Sequence, residues 1–263
     1  MAKRIDPDVV WSTYYDGYQV LREWLVGLPH RYWGHESVLP GWTVTELAAH
    51  LVSVVGRVGE LTPAARSVDV LTASQYVLAY DTNAGVVADE ARAIAAAARS
   101  QPDRVVAAID DALAVAVGRM EQLTPGDPVV AGRRGAIRLS QFLLTRVIEI
   151  VTHADDLARS VREVEPPAMP RSTQRTGVRA LLDMLAERVP GRTVEVRVPP
   201  YAAVQCIEGP RHTRGTPPNI VEMDAATWIR LATGRVAWDV EAHAGRISAS
   251  GERANLAGHL PLL

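Results

Sequence analysis

Apolar residues recur at three- and four-residue spacing through residues 141–162, a stretch that contains neither Gly nor Pro. Such spacing predicts a helix with one buried face. The apolar positions of that face are Leu143, Val147, Ile150, Val151, Ala154, Leu157, Ala158 and Val161. Glu149 and His153 are four residues apart and Asp156 follows on the same line, so a helix places these three side chains one above the other. This polar line lies away from the strongest apolar stripe.

The rest of the N-terminal half shows the same helical periodicity. Further helical patterns begin at Asp6-Pro7, after the capping box of Thr43 and Glu46, near Ser74 and at Pro102. The third of these predicts one Ala-rich helix over about residues 74–99, and the segment before residue 141 predicts a loop or a hairpin. We therefore predict that residues 1–165 form an all-α four-helix bundle, an architecture in which metal sites are built from facing helices.

The pattern changes after Pro166, Pro167 and Pro170, where we place a domain boundary. Residues 177–189 read as a helix, and Val194, Val196 and Val198 alternate with polar residues, as in a half-buried strand. Further strands are predicted within residues 201–207, 236–242 and 246–251, and a helix follows Asp224. Residues 171–263 are therefore predicted to form an α+β domain.

Composition excludes several classes of protein. The chain has 263 residues, of which 48% are hydrophobic and 22% charged, and its formal net charge is −2, so no global basic surface favours nucleic acid. No apolar run approaches the ~20 residues of a membrane span, and the N-terminal residues do not resemble a secretory signal. We expect a cytoplasmic protein without nucleic-acid or membrane partners. Cys206 is the only cysteine, which excludes internal disulfides and thiolate-rich metal sites.

The Glu149–His153 pair admits two interpretations. It is either a solvated i,i+4 pair, which contributes about 0.2–0.5 kcal/mol to helix stability, or two metal ligands delivered by one helix. The metal interpretation requires a third ligand. His50 lies at the edge of the apolar stripe of the helix that follows Thr43, a position where a histidine is more often packed and hydrogen-bonded. Spacing alone leaves both interpretations open.

Two motifs carry a resemblance to a known family. The segment PGWTVTELAAHL, followed about a hundred residues later by E-x-x-x-H-A-x-D-L, resembles the metal-binding N-terminal domain of the mycothiol-dependent maleylpyruvate isomerase family, a DinB-like four-helix bundle. The resemblance covers residues 9–164. It implies that His50, Glu149 and His153 bind a divalent metal, usually zinc in that family. Lys3 is the only lysine among 28 basic residues, a bias expected of a GC-rich genome such as an actinobacterium's, where mycothiol is the small thiol.

A second resemblance covers residues 172–263. The segment from Asp224 to the end, with its TGR, W-D and A-G-R-I elements, resembles a bacterial sterol-carrier-protein-like domain. This resemblance implies a fold, and it says little about the ligand because such domains serve many proteins.

Together the resemblances imply a zinc-dependent enzyme with mycothiol as thiol cosubstrate and a small electrophile as substrate. The thiol would add to a conjugated double bond, which rotates before the thiol leaves, or it would stay on the product in a transferase. Asp156 is a candidate acceptor for an imidazole N–H, although surface solvation or helix pairing explains it equally well. Arginines in two loops are candidates for holding substrate carboxylates, with ordinary solvated loops as the alternative: Arg133, Arg134, Arg138, Arg211 and Arg214.

Two other functions stay open. In the first, the C-terminal domain carries an apolar ligand and the helical domain is only a structural partner. In the second, a bound metal activates water, and the protein is a thiol-independent hydrolase. The sequence names neither the substrate nor the oligomeric state.

Overall fold

The computed structural model describes residues 5–65, 68–78, 84–124, 126–209 and 219–263. The chain divides into two compact units, Met1–Thr173 and Gln174–Leu263. The predicted domain limits, 1–165 and 171–263, stay a prediction. Among the described residues, no helix is long and apolar enough to cross a membrane.

The first unit is mostly helical. Its helices are α1 (Pro7–Gly27), α2 (His30–Trp33), α3 (Val44–Gly59), α4 (Ala73–Val77), α5 (Ala84–Ala97), α6 (Pro102–Leu123) and α7 (Leu139–Ser160). The capping residues predicted from the sequence are present at the start of two of these helices. Asp6 caps α1, and Thr43 and Glu46 form a reciprocal capping box at the start of α3.

Helix α3 is central to the packing of the first unit. It packs against α5, α6 and α7, while α1 packs against α6 and α7. The α3–α6 contact is close at Gly59, because a Cβ there would lie 2.8 Å from Cγ1 of Val115. The mostly helical architecture is confirmed, and the assignment to a four-helix bundle stays a prediction.

A small sheet accompanies these helices. Its strands are β1 (Thr62–Pro63), β2 (Val70–Leu71), β3 (Val129–Gly132) and β4 (Gly135–Arg138), in the order β1-β3-β4-β2. Strands β3 and β4 form an antiparallel hairpin whose turn consists of Arg133 and Arg134. Strand β4 runs directly into α7, whose first turn is held by Asp127: the carboxylate accepts hydrogen bonds from Ser140 N and Oγ at 2.8 and 2.9 Å.

One sequence prediction for this unit was wrong. The single helix predicted over residues 74–99 is two helices, α4 and α5, and residues 79–83 lie outside the described part of the chain. The segment between α1 and α3 contains the short helix α2. The segment after α3 contains β1 and β2, each of only two residues, which is too short for an alternating pattern to appear in the sequence.

The second unit is α+β, as predicted. It contains most of α8 (Arg171–Arg188), then β5 (Val194–Val198), β6 (Ala202–Cys206), β7 (Ile220–Met223), α9 (Ala225–Ala232), α10 (Trp238–His243), β8 (Ile247–Ser250) and a 3-10 turn (Ala257–His259). The sheet order is β6-β5-β7-β8, with β5 and β7 parallel and the outer pairs antiparallel.

One predicted strand of this unit is a helix. Residues 236–242 were predicted to be extended, yet α10 begins at Trp238. Trp238 and Glu241 are both buried, and burial at three-residue spacing follows the helical period. Glu241 also accepts a hydrogen bond from Nη2 of Arg246 at 2.8 Å, which stabilises the end of the helix.

Candidate metal centre

Helices α3 and α7 bring the three predicted metal ligands together. His50 comes from α3, and Glu149 and His153 from successive turns of α7. His50 is 9% exposed and His153 is 5% exposed. The two imidazole rings meet edge to face with centroids 4.8 Å apart. The pair on α7 is therefore not a solvated surface pair.

The distances between the donor atoms suit a small metal ion. Oε2 of Glu149 lies 3.2 Å from Nε2 of His153 and 3.8 Å from Nε2 of His50. One donor atom from each of the three residues lies within 4.8 Å of the others. Donors about 2.0–2.2 Å from zinc are roughly 3.3–3.6 Å apart in a tetrahedron, so small movements would close this arrangement around an ion.

His50 supplies a further sign that the donor set fits a metal. Its Nε2 is beyond hydrogen-bond distance from Glu149, and its buried Nδ1 has no hydrogen-bond partner among the residues that the structure describes. Buried polar atoms are usually paired. An ion between His50 and Glu149 would pair Nε2, the nitrogen nearer the carboxylate, and would leave Nδ1 as it is. Trp42 packs edge to face against His50, with ring centroids 5.8 Å apart, and limits the space around it.

Asp156 orients the His153 ring. It is fully buried, and its Oδ2 lies 3.2 Å from Nδ1 of His153. Its Oδ1 accepts a hydrogen bond from Nη2 of Arg159 at 2.8 Å. The sequence left surface solvation open for Asp156, and the burial excludes it. The contact leaves Nε2 of His153 facing Glu149, as in metal-binding histidines whose second nitrogen donates to a carboxylate.

Arg146 contacts the other side of Glu149, and the sequence interpretation missed it. Its side chain is buried, and Nη2 lies 3.6 Å from Oε1 of Glu149. Oε1 therefore faces a guanidinium while Oε2 faces the imidazoles. The i,i+3 spacing of Arg146 and Glu149 was a usable signal, because such pairs meet on a helix surface.

The pKa values of the three residues follow from this environment. Burial alone would raise the pKa of Glu149, but the facing imidazoles of His153 and His50 and the charge of Arg146 bring it well below its ordinary value. Burial lowers the pKa of His50. Burial also opposes protonation of His153, yet its pKa is raised because Asp156 and Glu149 outweigh that effect. Glu149 is thus anionic and His50 neutral, the forms that bind metals.

Comparison with known families shows to which family the chain belongs. Residues 16–158 match the family model of the mycothiol maleylpyruvate isomerase N-terminal domain. The chain belongs to this family. Residues 170–262 match a second model, described as a bacterial SCP ortholog. No curated protein matches the chain.

Solved structures have the same fold. The chain resembles a crystal structure of the mycothiol-dependent maleylpyruvate isomerase, with 16% identity, a TM-score of 0.57, and coverage of 93% of this chain and 92% of that one. A histidine-to-alanine mutant of that enzyme matches with 17% identity, the same TM-score and the same coverage. Membership of the maleylpyruvate isomerase family supports an enzyme of the isomerase or transferase class.

The arginines predicted to bind substrate have different surroundings. Half-exposed Arg133 pairs with Glu90 at 2.7 Å and with Glu60 at 3.3 Å. Arg134 lies with its Cζ 5.7 Å from the centroid of the Tyr76 ring. Arg138 donates a hydrogen bond to the carbonyl of Asp127 at 3.2 Å. The other two candidates, Arg211 and Arg214, lie outside the described residues.

The single cysteine takes no part in this site. Cys206 is fully buried in β6, and burial raises the pKa of its thiol to about 11. A thiol with such a pKa is a poor nucleophile near neutral pH. Any thiol chemistry therefore requires a thiol from outside the chain.

Proposed function

We propose that this chain is a zinc-dependent, mycothiol-using isomerase or S-transferase that acts on a small electrophilic substrate. The observation that supports it most is the convergence of three donor side chains from two helices, His50 from α3 and the Glu149–His153 pair from α7. The composition of this donor set, two imidazoles and one carboxylate, is typical of catalytic rather than structural zinc sites.

Zinc held by these ligands would keep a position for another ligand and carry a net single positive charge, which favours loss of the proton from an incoming thiol. The protein residues prepare this site. Asp156 holds the His153 ring through Nδ1, and Arg146 attracts Oε1 of Glu149 so that Oε2 faces the imidazoles. The burial of His50 and His153 and the low exposure of Glu149, whose side chain is 15% exposed, limit competing water.

We also propose that residues 1–165 form a DinB-like four-helix-bundle domain and residues 171–263 a sterol-carrier-protein-like domain. The mutual packing of α1, α3, α6 and α7 supports the first assignment. The match of residues 170–262 to the bacterial SCP ortholog model supports the second.

Metal analysis is the first test. Purified protein loaded with zinc and then desalted should retain about one equivalent, and less than about 0.2 equivalents would contradict the proposal. His153→Ala should lose the metal. The matched control is His30→Ala, which removes an exposed histidine of the first unit that lies outside the site.

Thiol-dependent turnover is the second test. Mycothiol and a panel of conjugated electrophiles should turn over with the zinc-loaded protein, and turnover should be lost in His153→Ala but kept in His30→Ala. Turnover without any thiol would instead indicate a metallohydrolase. A tightly bound lipid, found by extraction and mass spectrometry in a protein without thiol turnover, would indicate a carrier.

A further inference from the structure

Arg146 is held in a fixed place beside the proposed metal centre. It lies one turn before Glu149 on α7, and its side chain is 5% exposed. Its Nε donates a hydrogen bond to Oγ1 of Thr145 at 3.2 Å. Its Cζ lies 5.1 Å from the ring centroid of Phe142, and the face of an aromatic ring attracts a guanidinium. Contacts on two sides therefore limit the positions that this buried guanidinium can take.

The two oxygens of the Glu149 carboxylate have different neighbours. Oε1 lies 3.6 Å from Nη2 of Arg146. Oε2 lies 3.2 Å from Nε2 of His153 and 3.8 Å from Nε2 of His50. One oxygen therefore faces a cation, and the other faces the two imidazoles that would share an ion with it.

This division is important because a carboxylate binds a metal ion through either one or both of its oxygens. Turning Oε1 of Glu149 toward an ion at the imidazoles would move this oxygen away from Arg146. The side chains of Glu149 and Arg146 are only 15% and 5% exposed, so separating their charges costs more than it would at the surface. The guanidinium therefore opposes binding of an ion through both carboxylate oxygens.

The number of oxygens that Glu149 offers affects which ion the site prefers. Catalytic zinc sites typically have three protein ligands and one further position. Calcium takes about six to eight oxygen ligands, and manganese also prefers a larger, oxygen-rich set. Two imidazole nitrogens and a single carboxylate oxygen from His50, His153 and Glu149 would match zinc and would be a poor set for the other two ions.

We propose that Arg146 is a positioning residue that keeps Oε1 of Glu149 away from the ion, so that the carboxylate contributes a single oxygen. The site then favours a four-coordinate ion such as zinc over manganese or calcium. This inference rests on the proposed metal site, and it adds a cause for the coordination number and for the selectivity among divalent ions. The supporting geometry is the buried guanidinium next to Oε1 and the imidazoles next to Oε2.

Cobalt(II) is the probe for the number of ligands, because four-coordinate cobalt absorbs visible light several times more strongly than five- or six-coordinate cobalt. The absorption spectrum of the cobalt-loaded full chain should show the intense four-coordinate bands. Arg146→Met keeps much of the side-chain volume but loses the charge. In this variant the absorption should fall to less than about half, because Oε1 of Glu149 can then also bind the ion.

The ratio of zinc affinity to manganese affinity, measured by competition with a chromophoric chelator, is the second readout. This ratio should fall about tenfold in Arg146→Met. Loss of a nearby positive charge alone would strengthen the binding of all divalent ions alike and leave the ratio unchanged. Arg57→Met is the matched control, since Arg57 is another guanidinium of low exposure, at 18%, and pairs with Glu60 and Glu90. Its spectrum and its affinity ratio should equal those of the parent.

The outcomes separate this inference from the proposed function. A parent protein that binds cobalt with the weak spectrum of higher coordination would overturn the inference and leave the metal site in place. The parent's spectrum in Arg146→Met, shown to be folded by circular dichroism, would also overturn it, as would equal changes of the affinity ratio in the Arg146 and Arg57 variants. Arg146→Leu, with a shorter apolar side chain, provides the same test if Arg146→Met does not fold. A parent that binds neither cobalt nor zinc would contradict both proposals.

Discussion

Replacing Asp156 should weaken zinc binding although the residue would not touch the ion. Its fully buried carboxylate lies 3.2 Å from Nδ1 of His153 and accepts a hydrogen bond from Arg159. Carboxylates that hold a metal-binding histidine typically contribute about 10–100-fold to metal affinity. Asp156→Asn keeps an oxygen acceptor and loses the charge, so we expect a loss of about tenfold, or about 1.4 kcal/mol. Asp156→Ala removes the acceptor, and we expect about a hundredfold, or about 2.7 kcal/mol.

The pH of the assay affects the size of this loss. Asp156 raises the pKa of His153, so in the parent a proton competes with zinc for the ring at low pH. The Asp156→Asn variant suffers less of this competition. The ratio of parent to variant affinity should therefore be smallest at low pH and grow as the pH rises. Zinc affinities are to be measured at several pH values by competition with a chromophoric chelator.

The neighbouring carboxylate provides a matched control. Asp155 accepts a hydrogen bond from Nε of Arg159 at 2.9 Å. Asp155→Asn should therefore change zinc affinity by less than about twofold, because a single partly exposed ion pair has a small effect. Urea denaturation of the metal-free variants separates loss of stability from loss of binding. An Asp156→Asn protein that is folded and binds zinc as tightly as Asp155→Asn would refute this account.

Two further predictions concern other parts of the structure. In the metal-free protein, the raised pKa of His153 should stabilise the fold. This contribution is fully present below the unfolded-state pKa and is lost as the pH rises through the folded-state pKa. Chemical denaturation of the parent and of His153→Ala should therefore show a difference in the free energy of unfolding that shrinks as the pH rises. Gly59→Ala should be less favourable than Gly56→Ala by about 1 kcal/mol in urea titrations, because a Cβ at Gly59 would crowd the exposed Val115, whereas Gly56 lies in open space on the same helix.

Local periodicity was sufficient to predict most of the long helices and two of the three proposed metal ligands. The spacing of Glu149 and His153 placed both side chains on one helix, and the capping box of Thr43 predicted where the helix carrying His50 begins. No local pattern could bring His50 to the other two, because that depends on how α3 packs against α7. The family resemblance supplied this step, since it matched residue types over the whole helical region.

Other features depend on tertiary packing that the sequence does not express locally. Arg146 was not considered, since nothing in the local pattern shows that this charged residue is buried against Phe142. Residues 236–242 were predicted to form a strand because apolar and polar residues alternate there. In the structure Trp238 and Glu241 are buried, at the three-residue spacing of a helix. The two-residue strands β1 and β2 exist only through pairing with the hairpin.

Asp127 holds the beginning of α7 in place without the help of the β3–β4 turn. Both hydrogen bonds to Ser140 fix the beginning of the helix independently of the hairpin turn, which lies between Asp127 and Ser140 in the chain. Substitutions or insertions at the turn can therefore be accommodated while the donors on α7 keep their orientation. Relatives that share the three donors would be free to diversify at this tip without disturbing them.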